Sequence, residues 1–506
     1  MKRTRPRRRN FRLLALSVAL TLAVVCGQGE NPALAGGPLF VGSPTMGTDG
    51  QPLLWSTASP VAYRVDGGNL GTITNSAAAS RVQTMFSAWQ NVPTASISYT
   101  NAGPILSAGS FTDGDVSSAF EFADVAIDCD LGNQTPIMFD ADGSLFAQLG
   151  FPSGVIGFAG ACDSIVGNHI TSALAALNGR WINGNQGDGE LTSFEFDQAF
   201  THEFGHLSGL DHSQINVDVL NGAGTCSQDS LAGLPLMFPF LFCQARQPAF
   251  PILAPDDMAW ISELYPETGG GTGQTPYTSA YGFIEGTIYF SDGITHAQGI
   301  NVIARQLDNP STTTVNESRR VAFSAVSGYL FTGLPGQNVT STNPGSSFGS
   351  RNTLLIGAYR IPVTPGNYRL EVESISPFFV GGSSVGPLQF PIPSPGPREF
   401  WDSGESANDS TSAVTNITVA AGQTISNINI ILNGTPPRFD AFESAQWFAP
   451  VPFADLPPTP YPVFPLVPEP VTAKPRTAIL ASSPGSEAPL AFAWLRRDSL
   501  LEALAS

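Results

Sequence analysis

Three of the five histidines in this 506-residue chain fall in one stretch, HEFGHLSGLDH, at 202–212. Its spacing dictates local structure. His202 and His206 are four residues apart, so on a helix they sit one turn apart on the same face, and their imidazoles can converge on one ion. Glu203 follows the first histidine and is placed to touch a water on that ion rather than the ion itself. Gly209 can adopt a left-handed conformation and end the helix. The chain can then swing back and present His212 as a third nitrogen. Three neutral nitrogens around zinc leave a fourth position for water, whose pKa falls to about 7 in such a site. The candidate metal ligands are therefore His202, His206 and His212, and the candidate general base is Glu203.

Further residues extend the pattern. Ser213 follows the third histidine, LPLMFP (234–239) carries Met237, and APDDMAWISELYP (254–266) pairs Asp256 with Asp257 at a helix start. Together these resemble the metzincin zinc proteases, and within them the matrixins, the matrix-metalloproteinase type. The likeness covers roughly 58–266. It implies an α+β catalytic domain, catalytic zinc, a protein or peptide substrate, and Met237 in a Met-turn beneath the metal. FDADGSLFAQLGFPSG (139–154) is more loosely similar to the family's calcium loop. Asp140 and Asp142 are thus candidate calcium ligands, although a DxDG sequence also makes ordinary turns. The chain departs from the family in three respects, one being Pro239 in place of the tyrosine that some metzincins carry two residues past the Met-turn methionine. No cysteine between residue 36 and Cys129 could serve a cysteine switch, and His169 alone is too little for a second, structural zinc.

The N-terminus reads as an address. MKRTRPRRRNFR is basic, a 13-residue apolar run follows, and ALA at 33–35 has the form of a cleavage site. Residues 1–35 are read as a removed export signal. RRNFR fits either a twin-arginine motif, which would imply a bacterial source, or an Arg-rich general signal. The apolar run is too short for an ordinary membrane span, and no later segment is long and apolar enough. The formal net charge is −18; without the first 35 residues 16 basic and 40 acidic residues remain. Such an acidic chain argues against nucleic-acid partners and suits a secreted protein. Four cysteines remain beyond the signal. Of the three possible pairings, Cys129–Cys162 and Cys226–Cys243 each close a moderate loop within one domain.

Residues 36–266 form the catalytic unit in this reading. Strands are expected at 61–66, 95–100 and 154–162, and helices at 74–92, 193–210 and 254–266. ETGGGTGQTP opens a Gly-rich linker, 267–279. From 280 to 435, eight alternating segments separated by turn residues suggest an all-β sandwich. Its sequence is similar to carboxypeptidase-regulatory-like and immunoglobulin-like modules, which could contact a surface or substrate. Residues 436–506 form a Pro-rich tail. Two functions compete: a secreted zinc endopeptidase, or a surface adhesion protein with a vestigial protease-like domain. The intact Glu203 favours the first.

Overall fold

The computed structural model describes residues 36–42, 44, 47–162, 165–216, 233–238, 240–241, 252–269, 271–307, 317–331, 350, 352–375, 399–435 and 493–496. It is a mixed helix and sheet protein, α+β in class.

In the first half, strand β1 (Val61–Val65) leads into helix α1 (Asn75–Gln90) and then β2 (Tyr99–Pro104). Helix α2 (Ala119–Asp130) precedes β3 (Thr135–Asp140), β4 (Val155–Ala161) and β5 (Ala173–Asn178). Helix α3 (Ser193–Leu207) carries the first two histidines. The short strand β6 (Phe240–Leu241) and helix α4 (Pro255–Leu264) complete this half. The sheet runs β2-β1-β3-β5-β4. β1, β2, β3 and β5 are parallel; β4 runs antiparallel to β5. On the outer side of β4 lies strand β16 (Ala493–Arg496), which in turn meets β6.

Helix α1 forms as its apolar spacing predicts, burying Val82, Met85, Phe86 and Trp89. Phe86 stacks on Phe204 of α3 at 3.9 Å between ring centres, and the Trp89 indole donates to the Thr201 carbonyl at 2.8 Å. The strand expected at 95–100 instead starts at Tyr99. Ser96 donates its backbone N–H to Tyr265, and Ala95 bridges Pro266, so the end of α4 takes the pairing a sheet neighbour would have had. Helix α2 and strand β5 were not anticipated. A disulfide joins Cys129, near the end of α2, to Cys162, just after β4. Cys226 and Cys243 lie outside the described residues.

The second half contributes β7 (Gly282–Tyr289), β8 (Ile300–Leu307), β9 (Glu317–Val326), β10 (Ala358–Val363), β11 (Gly366–Ser374), β12 (Glu399–Phe400), β13 (Ile417–Val419), β14 (Thr424–Ile425) and β15 (Ile430–Ile431). One sheet is ordered β10-β7-β14, with β15 also on β7; the other is β9-β8-β11-β12, with β13 also on β11. Of the alternating segment 328–333, the described residues 328–331 form turns rather than a strand, with the Tyr329 and Phe331 N–H groups donating to the Val326 and Gly328 carbonyls. Ile284, Ile288, Val302, Ala304, Ile361 and Val372 belong to the same buried cluster as Phe204 and Trp260 of the first half. The core therefore crosses from one half to the other. The ends of the Gly-rich connection pack back as well: Glu267 and Thr275 donate to the Thr94 and Pro93 carbonyls. Among the described residues no helix is long and apolar enough to cross a membrane.

Candidate metal centre

Helix α3 is built to start and stop at fixed points. Thr192 and Glu195 form a capping box, with the Thr192 hydroxyl accepting from the Glu195 N–H and the Glu195 carboxylate from the Thr192 N–H. At the other end Gly209 has φ of 87°. Its N–H donates to the His206 carbonyl, while Leu210 donates to Gly205. This is a Schellman ending, which reverses the chain and returns His212 towards the helix.

The reversal brings the three histidines together. One ring nitrogen from each of His202, His206 and His212 lies within 4.8 Å of the others. His206 Nε2 and His212 Nε2 are 3.1 Å apart. His202 Nδ1 lies 2.7 Å from the Leu236 carbonyl and His206 Nδ1 2.8 Å from the Leu210 carbonyl. A carbonyl only accepts, so each Nδ1 carries the proton and each Nε2 presents its lone pair. Burial holds His206 down at about 4 and, together with repulsion among the rings, holds His202 and His212 well below the ordinary value. All three are neutral imidazoles at neutral pH, the state a metal ligand requires. His206 Nε2 therefore faces His212 Nε2 with its lone pair. The group can hold a metal ion, and its three imidazoles are compatible with zinc.

Glu203 is fully buried. Its side chain crosses to β4: a Cβ placed on Gly157 would lie 3.1 Å from Glu203 Cγ. Gly157 thus leaves the room that lets the carboxylate lie between helix and strand. Sequence reading did not single out this glycine, although an isolated glycine in an apolar strand is a signal of close approach.

Met237 is buried, with 2% of its surface exposed, and packs against α3. A Cβ on Gly205 would lie 2.3 Å from Met237 Sδ and 2.9 Å from the Trp89 ring. Gly205, the residue before the second histidine, is therefore required for the sulfur to reach the helix. The turn is held from α4: the Asp257 carboxylate accepts the N–H groups of Leu236, Met237 and Ala254 at 2.7, 3.0 and 2.7 Å. Since Leu236 also orients His202, Asp257 acts on the first ligand through one residue.

Asp256 works on the opposite side. It accepts the Ser213 hydroxyl at 2.7 Å and the Ser324 N–H, from β9, at 2.8 Å. The second half also grips the segment after the third histidine. Asn301 donates to the Gln214 carbonyl, Arg305 to Asn216 Oδ1, and Ile215 packs on Ile303 and Ala322.

The other candidate ligands lie apart from this centre. Asp140 is buried and accepts the N–H groups of Asp142, Gly143 and Phe146. Asp142 accepts from Ser144. Both aspartates shape the turn into the short helix Ser144–Gln148, and among the described residues neither belongs to a three-ligand group. His169 is exposed, at the Leu54 carbonyl. Comparison of the chain with protein-family models finds no matching family, and comparison with curated proteins finds no match.

Proposed function

We propose that this chain is a secreted zinc endopeptidase of the metzincin type, with a matrixin-like catalytic half joined to a β-sandwich half. The observation that carries the reading is the convergence of three neutral, buried imidazoles, two of them on a helix whose buried Glu203 packs against the antiparallel strand β4. Zinc held by His202, His206 and His212 would supply a Lewis acid to polarise a carbonyl.

The remaining chemistry belongs to the chain. A peptide substrate lies extended along β4 and pairs with its main chain. The chain's own β16 supports this: Ala493 pairs antiparallel with Phe158 and Leu495 with Val155, while Leu495 and Arg496 run parallel to Phe240 and Leu241. An extended backbone fits between those two strands. Glu203, directly beneath β4, takes a proton from the attacking water and returns it to the leaving amine. Asp257 and the Met237 turn keep the first ligand in place, and Asp256 does the same for the loop of the third.

The test is metal depletion and restoration with a denatured protein as substrate. Chelator should abolish cleavage and stoichiometric zinc should restore it. Cleavage that persists in the fully stripped protein would contradict the proposal.

A further inference from the structure

The second half carries a group that peptide cleavage does not use. Glu399 on β12, with Glu405 and Asp409 in the following loop, brings one carboxylate oxygen from each residue within 4.8 Å of the others. Glu399 is only 1% exposed. Its Oε2 accepts the Asn433 N–H, but its Oε1 is buried and has no hydrogen-bond partner. Asn433 repeats the pattern: Nδ2 donates to Asp409 Oδ1 at 2.6 Å, while Oδ1 is buried without a partner. Two shielded oxygens without donors, beside three carboxylates, form a costly arrangement unless something positive satisfies them. Among the described residues no arginine or lysine pairs with any of the three acids. Burial and mutual repulsion push Glu399 and Glu405 up to about 7.

We propose that Glu399, Glu405 and Asp409, with the side-chain oxygen of Asn433, form a calcium site. The donors are all oxygens and three are anionic, the set a hard divalent cation takes; nitrogen and sulfur, which zinc prefers, are absent from it. Direct protein oxygens gathered around the buried Glu399 suit calcium better than magnesium, which retains several waters. The position gives the ion a structural task. Glu399 lies in the sheet of β11. Glu405 accepts from Ile431 of β15, which pairs with β7 in the other sheet. The ion thus fastens the 401–409 loop and joins both sheets at one end.

Terbium is the probe, because Trp401, two residues beyond Glu399, can sensitise its luminescence. The full chain is used in a Glu203→Ala background, to prevent self-cleavage. Saturable terbium emission displaced by calcium is expected, together with a rise in thermal midpoint in calcium. Glu399→Gln should weaken binding at least tenfold and remove the rise. Asp409→Asn, at a half-exposed position, should do the same and serves if the buried variant fails to fold. Asp142→Asn should retain both effects. A midpoint unchanged by millimolar calcium would overturn the proposal. So would an equal rise in Asp409→Asn and the parent, or an equal rise from magnesium.

Discussion

Ser213 donates its hydroxyl to Asp256 across 2.7 Å, one residue after the third histidine, and the same carboxylate accepts the backbone N–H of Ser324 in the second half. One buried acid therefore connects the loop of His212 to β9. Asp256→Asn keeps the shape but turns an amide N–H towards one of the two donors. A buried donor left without an acceptor costs about 1–3 kcal/mol. The variant should unfold at lower temperature and lose zinc faster to a competing chelator, with β-structure retained by circular dichroism. Zinc loss at the parent rate would mean that Asp256 does not hold the third ligand.

Gly205 and Met237 form the second relationship open to test. Adding a methyl at Gly205 drives it into the sulfur, and overpacking of this kind costs about 1–3 kcal/mol. Met237→Ala removes the nearer obstacle, leaving the Trp89 ring, and opens a cavity in its place. In a double-mutant cycle the two changes should couple favourably, with Gly205→Ala costing less in the Met237→Ala background. Additive losses would show that the close approach does not govern the site.

The sequence stretch 202–212 predicted the helix, its glycine ending and the return of the third histidine, because each follows from spacing and backbone freedom alone. Met237, Asp256 and Asp257 could be named through resemblance, but their tasks could not be read. Those tasks depend on contacts across the chain, such as Asp257 to Leu236 and Asp256 to Ser324. Gly157 and Gly205 were missed for a similar reason: a glycine marks room, and only the fold says what fills it. The second half was legible as strands separated by turns. Its grip on Gln214 and Asn216 was not, since polar residues at strand positions give no sign of their partners. The acids at 399–409 sit in a segment rich in turn residues, where sequence offers no reason to single them out.

The acids of the second half also set a pH dependence. Glu399 and Glu405 titrate near 7 in the folded chain, against an ordinary 4.5. The folded state then binds more protons between these values. Stability falls as pH rises through about 4.5 to 7, and the contribution is fully lost above that. Calcium, which favours the ionised groups, should flatten the fall. Glu399→Gln should flatten it without calcium. Denaturant midpoints measured across this range, with calcium or chelator, read the difference; identical profiles for parent and variant would contradict it.

The pairing of β16 with β4 and β6 gives a prediction for the substrate groove. A synthetic peptide spanning 490–499 should inhibit cleavage competitively, raising KM for a peptide substrate and leaving kcat unchanged. A proline at the position of Leu495 removes a backbone donor and should weaken inhibition. Non-competitive inhibition would place the peptide elsewhere.

The most direct measurement determines zinc per chain and the rate of cleavage of a denatured protein, side by side, for the parent and for Glu203→Ala. Both should hold close to one zinc ion at the histidine site. The parent should cleave, and the variant should be slower by about 10²–10⁴-fold, the usual contribution of a general base. A zinc-loaded parent that leaves the substrate intact would contradict the protease reading, and equal cleavage by the two proteins would contradict the role given to Glu203.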